Sequence, residues 1–143
     1  MLIPLPVPGM VIRYAYHWSD DQAKGRVEGA KERPCVLVLA VRQATGIIQT
    51  VVAPITHAPP GDPADSIEVP STVRQSLGLD TERQWVRLDE LNSFGWPGFD
   101  LRPHPRTGAI AYGMLPRDFY EEVRIRILER NKRKRLKPIS RDE

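Results

Sequence analysis

The sequence predicts a mainly β chain. Five or six short strands form a small, curled sheet or barrel, with one short helix inserted and a longer helix closing the chain. Short apolar runs recur through the first hundred residues. The 10 glycines and 14 prolines supply most of the breaks between them. A helical apolar spacing that recurs every four residues starts only after Pro116.

The stretch "PGMVIRYAY" (8–16) reads as a first strand entered from a Pro-Gly turn. Residues 17–32 are polar and lack a period, so they read as a long loop of the kind that often carries function. "RPCVLVLAVR" (33–42) is a strand whose continuous apolar run implies burial on both faces. "QATG" (43–46) is a turn, and "IIQTVVAPIT" (47–56) is the returning strand of an antiparallel hairpin. Pro54 interrupts that strand, which suits an edge or rim position. "HAPPGDPAD" (57–65) is a surface loop and "SIEVP" (66–70) a short strand. "STVRQSLGLD" (71–80) reads as a short helix capped by Ser71 and ended by Gly78. "RQWVRLDELNSF" (83–94) alternates as one strand, 95–108 is loop, and "AIAYGML" (109–115) holds a last short strand. The helix from Pro116 starts with Asp118, Glu121 and Glu122, which suit its dipole. Phe119, Val123 and Ile127 form its buried stripe.

A chain of 143 residues, 41% hydrophobic and 27% charged, fits one globular domain. "VLVLAV" (36–41) falls far short of the roughly 20 apolar residues that a membrane helix needs. The N-terminus has three prolines and no basic region, so no signal peptide is expected. The lone Cys35 sits in an apolar setting as a small hydrophobe, which fits a cytoplasmic protein without disulfides. The net charge of +3 is uneven, because "RNKRKRLK" (130–137) holds six basic residues and no acidic one. This divides the chain into a domain over 1–129 and a basic arm over 130–143. The arm suits phosphate backbones or acidic partners, or it is a solvated helix end.

Several chemistries find no support. His17, His57 and His104 lack ligand spacing, so no metal and no other cofactor is expected. There is no glycine-rich phosphate loop and no nucleophile elbow. Asp89 and Glu90 are adjacent on a predicted strand and point to opposite faces, so they make no carboxylate pair. The remaining candidate is a pair of strand ends. Arg33 and Thr56 are about equally far from the hairpin turn and meet at one rim of the sheet. A guanidinium there can hold a phosphate, and a neighbouring hydroxyl can donate to it or move a proton. Alternatively, Arg33 pairs with Glu28 or Glu32, and Thr56 caps a turn.

"PGMVIRY", a polar loop, "RPCVLVLA" and "VVAPITH" together resemble the PemK/MazF toxins of bacterial toxin–antitoxin systems. The resemblance spans about residues 8–128 and rests on the order and spacing of the motifs. It implies an SH3-like β-barrel with helices, commonly a homodimer. It implies a metal-independent endoribonuclease that cuts single-stranded RNA and arrests growth, and an antitoxin that covers the RNA groove. The family's catalytic arginine and threonine match Arg33 and Thr56. The family's later strand carries an RNA-facing arginine, but "DELNSF" places Asn92 there. Asn92 can hydrogen-bond RNA without charge, and Trp96 and Phe99 can stack on bases or pack their own loop. His57 beside the site and Lys132 and Arg133 of the arm complete the candidate RNA-binding set. The substitution at Asn92 leaves open a second expectation, a weak or inactive family-fold protein that binds nucleic acid or a protein partner.

Overall fold

A computed structural model describes residues 3–16, 31–134 and 139–140. The long loop predicted over 17–30, including Glu28, lies outside these residues, as does most of the arm beyond Lys134.

The first three strands form the frame. β1 (Met10–Tyr16), β2 (Lys31–Arg42) and β3 (Ile48–Thr56) pair antiparallel in chain order. The predicted hairpin turn is present: Gln43 N–H donates to Ile47 O, and Gly46 N–H donates to Gln43 O. Gly46 adopts φ +90°, which a side chain would disfavour. β2 is buried on both faces only over Cys35–Val38; Leu39 and Val41 are exposed. Pairing with β1 ends at Val11↔Val36, so the outer half of β2 has a partner on one side only.

The far edge of β3 differs from the expectation of one strand over 83–94. That segment divides into β5 (Trp85–Arg87) and β6 (Asn92–Gly95), which pair with different halves of β3. β6 covers Gln49–Val52 and β5 covers Ile55–Thr56, while β4 (Ser66–Glu68) pairs β5 from outside. Pro54 falls in the gap between them. Trp96 N–H donates to Ile48 O, so even-numbered residues of β3 turn their backbone groups toward this edge. The missing N–H of Pro54 therefore costs no ladder bond. β7 (Ala111–Met114) pairs β1, and β8 (Ile139–Ser140) runs parallel to β6. Among the described residues the strand order β4-β5-β3-β2-β1-β7 does not close on itself.

Two helices cover one face. α1 (Ser71–Ser76) starts after Pro70, with no side-chain cap, so Ser71 lies inside the first turn rather than capping it. Val73 and Leu77 are buried. α2 (Arg117–Lys134) buries Phe119, Val123 and Ile127 against Val36, Val38, Val51 and Ala53 of the sheet. It runs through the first five residues, 130–134, of the segment set apart as a basic arm, and Arg130 there is buried and bonded to Asp65. Arg126 also donates to Pro63 O and Ser66 O. The other face of the sheet holds a second cluster: Ile12, Tyr14, Tyr16, Cys35, Leu37, Val52 and Phe94. Phe94 stacks on Tyr14 with ring centroids 4.9 Å apart. No helix among the described residues is long and apolar enough to cross a membrane.

Candidate functional site

The register of the hairpin decides whether Arg33 and Thr56 meet. Val36 pairs with Ala53 and Cys35 with Pro54. Two residues further along the same register, Arg33 stands level with Thr56 on the neighbouring strand. Side chains alternate along strands, so Arg33 shares the face of Cys35 and Leu37, and Thr56 shares that of Val52. Both belong to the face that α1 and α2 leave uncovered. The turn at 43–46 starts the pairing at Arg42↔Ile48, and a one-residue bulge between Leu37 and Leu39 shifts it into the register that brings Arg33 level with Thr56.

Arg33 is half-buried and lies opposite Tyr14 of β1. Burial pulls its guanidinium below the usual arginine value, with Cys35 and Tyr16 acting in the opposite sense. Glu32, one candidate partner from the sequence, is bonded to Arg13 at 2.9 Å and also faces Arg102 at 3.5 Å. Thr56 is buried and pairs with Trp85. Its Oγ1 accepts from Ala58 N–H at 3.2 Å, so the hydroxyl does cap a turn. A hydroxyl that accepts one bond still has its own O–H to donate.

Two residues on this face, Tyr16 and Arg87, carry no motif and were not singled out from the sequence. Tyr16 is fully buried; burial first, and Glu90 second, push its phenol far above the ordinary tyrosine range. It is therefore a hydrogen-bond donor at neutral pH, never a phenolate. Arg87 follows Trp85 with the same parity, which brings it to the face of Thr56. It holds Asp89 by two bonds of 2.7 and 2.6 Å. Burial alone would raise the Asp89 carboxyl, but these bonds hold it below its ordinary value of 3.8. Alternation within 83–94 was the available signal, because it places Trp85, Arg87 and Asp89 together; the pairing with Thr56 was not readable from it.

Cys35 lies beneath Arg33, at 0% exposure, and its Sγ is 3.7 Å from Arg33 O. Burial pushes its thiol well above the usual range. Cys35 is expected to resist iodoacetamide in the folded chain at pH 8 and to react after denaturation. Mass spectrometry before and after unfolding checks this; rapid labelling of the folded chain would contradict it.

The remaining sequence candidates scatter. Asn92 is at 0% exposure, between Val52 of β3 and Ile139 of β8. Its side chain is enclosed by the protein. Trp96 Nε1 donates to Pro4 O at 2.9 Å, and its ring stacks on Phe94 at 6.0 Å, so the loop packing expected of it is present. Phe99 is exposed. Lys132 and Arg133 are exposed on the last turn of α2.

His57 shares a groove with Arg33 and also joins a second group. It lines a surface groove of about 370 Å³ together with Arg13, Arg33, Ile55, Asp80 and Arg106. Its Nε2 lies 2.7 Å from Asp80 Oδ2 and 3.6 Å from Glu82 Oε2. Sequence spacing gave no hint of this cluster, because 23 residues separate His57 from Asp80.

The site can hold an anion through Arg33 and donate a proton or hydrogen bond from Thr56, within a wall stiffened by Tyr16 and the Arg87–Asp89 pair. In comparisons with known proteins, no family model and no curated protein matches the chain.

Proposed function

We propose that the chain is a PemK/MazF-like toxin with an SH3-like arrangement of strands, acting as a metal-independent endoribonuclease on single-stranded RNA. One observation carries the reading: the β2–β3 register, continued two residues past Cys35↔Pro54, brings Arg33 level with Thr56 on the sheet face opposite the helices. A guanidinium and a hydroxyl so placed suit internal phosphodiester transfer. The ribose 2′-oxygen gives up its proton and bonds to its own phosphorus, and the bond from phosphorus to the 5′-oxygen breaks as that oxygen takes up a proton. The products carry a cyclic phosphate and a 5′-hydroxyl. Arg33 offers parallel N–H donors to the crowded phosphorane, where negative charge gathers. Thr56 donates its O–H toward a phosphoryl or leaving oxygen. The need for a 2′-hydroxyl makes RNA the substrate and excludes DNA.

A separate surface, on the side of α2, supports the partner reading. Leu39, Val41 and Ile47 are exposed along the hairpin. Leu39 also lines an apolar groove of about 320 Å³ with Val38, Leu91, Tyr120, Ile127 and Leu128. Apolar surface of this kind suits a homodimer and an antitoxin segment. Exposed Lys132 and Arg133 suit the RNA backbone.

The test is end-group analysis of fragments from a varied RNA pool. The wild type is expected to leave cyclic phosphate and 5′-hydroxyl ends, and Thr56→Ala to cleave about a hundredfold more slowly. A folded protein that leaves the pool intact would sink the nuclease reading. The burial of Asn92 and the engaged indole of Trp96 favour a second one, a catalytically weak binder of nucleic acid or a protein partner. In that case RNA binding falls steeply with salt and survives Thr56→Ala.

A further inference from the structure

We propose that His57, Asp80 and Glu82 form a binding site for a first-row divalent metal ion of the zinc type, which braces the end of β3. Their donor atoms, one imidazole nitrogen and two carboxylate oxygens, all lie within 4.8 Å of one another. Such an ion holds nitrogen and oxygen ligands at about 2.0–2.2 Å, which places neighbouring donors roughly 3–4 Å apart. The separation of 3.6 Å from His57 Nε2 to Glu82 falls within that spacing, and the 2.7 Å to Asp80 must widen slightly by side-chain rotation to admit the ion.

The donor set also has a built support. Asp80 uses Oδ1 to accept from Glu82 N–H at 3.0 Å and from Gln84 Nε2 at 2.8 Å. Gln84 is 3% exposed, a buried amide whose hydrogen bond fixes the carboxylate from behind. The other oxygen, Oδ2, is thereby turned toward His57. A ligand carboxylate held by a second hydrogen-bonded residue is a common feature of protein metal sites. The imidazole selects first-row transition ions over magnesium or calcium, for which an all-oxygen set is preferred. Charge agrees, since two carboxylates meet a dication. His57 and Asp80 both line the 370 Å³ groove that also holds Arg13 and Arg106. A coordination position left open by three protein ligands therefore faces space lined by cations, which suits water or an anionic group.

The consequence is mechanical. The chain between His57 and Asp80 includes the 57–65 loop, β4 and α1. An ion clamped across its two ends closes that loop and holds the residue next to Thr56. Binding to the folded chain alone then adds to stability by mass action.

The test needs no RNA, so its outcome is separable from that of the nuclease reading. The metal-stripped full chain is titrated with Zn²⁺ by calorimetry, and Co²⁺ is used as a visible-absorption probe. The expected results are one high-affinity ion per chain, a Co²⁺ ligand-field band, and a raised melting temperature. Asp80→Asn and His57→Ala are expected to lose the band and the melting shift. Gln84→Ala is expected to weaken binding by about tenfold, as loss of an outer-shell partner does. His104→Ala serves as the control and should bind as the wild type. The proposal is overturned if Zn²⁺ in millimolar excess gives neither heat nor a melting shift. It is equally overturned if binding persists in His57→Ala while His104→Ala loses it.

Discussion

Arg33→Ala is expected to lower RNA cleavage by two to three orders of magnitude, roughly the cost of removing one preorganised donor to a developing oxyanion. The phosphorane gains charge that water would otherwise solvate. At the rim of β2, a half-buried guanidinium replaces that water at a fixed place. Arg33→Lys should recover little, because an ammonium keeps the charge but loses the planar fork that grips two oxygens at once. Folding should survive both changes. The neighbouring Cys35 bond goes to the backbone oxygen of Arg33, and the side chain is half-buried rather than part of the core. Single-turnover cleavage of a single-stranded RNA pool, read beside a melting curve, separates the two effects. Wild-type cleavage by a folded Arg33→Ala chain would remove Arg33 from the mechanism. In cells, the same variant should lose any growth arrest that the wild type causes.

Asp65→Ala is expected to destabilise the fold by about 3 kcal/mol, near the lower end for breaking a buried ion pair. Arg130, on the last part of α2, is only 6% exposed and bonds to the Asp65 carboxylate. Removing the carboxylate leaves a guanidinium that has been taken out of water with its main partner gone. The melting temperature should fall by about 10 °C for a chain of this size. The double variant Asp65→Ala/Arg130→Met should recover most of that loss, because a buried pair replaced by apolar groups costs little. Thermal denaturation of the two single variants and the double completes the cycle. If the double variant is no more stable than Asp65→Ala, the loss is one of loop structure around Pro63–Asp65 and not of the ion pair.

Arg130 also shows where reading by composition stops. Six basic residues in eight look like one solvated arm. The helix carries the first of them inward, because its stripe of Phe119, Val123 and Ile127 sets which positions of the next turn face the protein. The exposed Lys132 and Arg133 keep the character that composition assigned to the whole segment.

Residue order alone determined the elements that local rules govern. A turn with glycine at the φ +90° position, flanked by two apolar runs, specifies the β2–β3 hairpin. The turn alone would set Arg33 level with His57; a one-residue β-bulge in β2 between Leu37 and Leu39 shifts the register so that Arg33 comes level with Thr56. Apolar residues every four positions after Pro116 specify α2 and its buried face. Only the tertiary structure decided the rest. It divided 83–94 between two halves of β3, and it brought Arg87 and Tyr16 to the face of Arg33. It buried Asn92 and joined His57 to Asp80 and Glu82. The physical reason is common to all of these. Period and turn chemistry act within a few residues of the chain. Which side chains meet across a sheet depends on pairings between segments far apart in sequence, set by how two apolar faces are best covered at once.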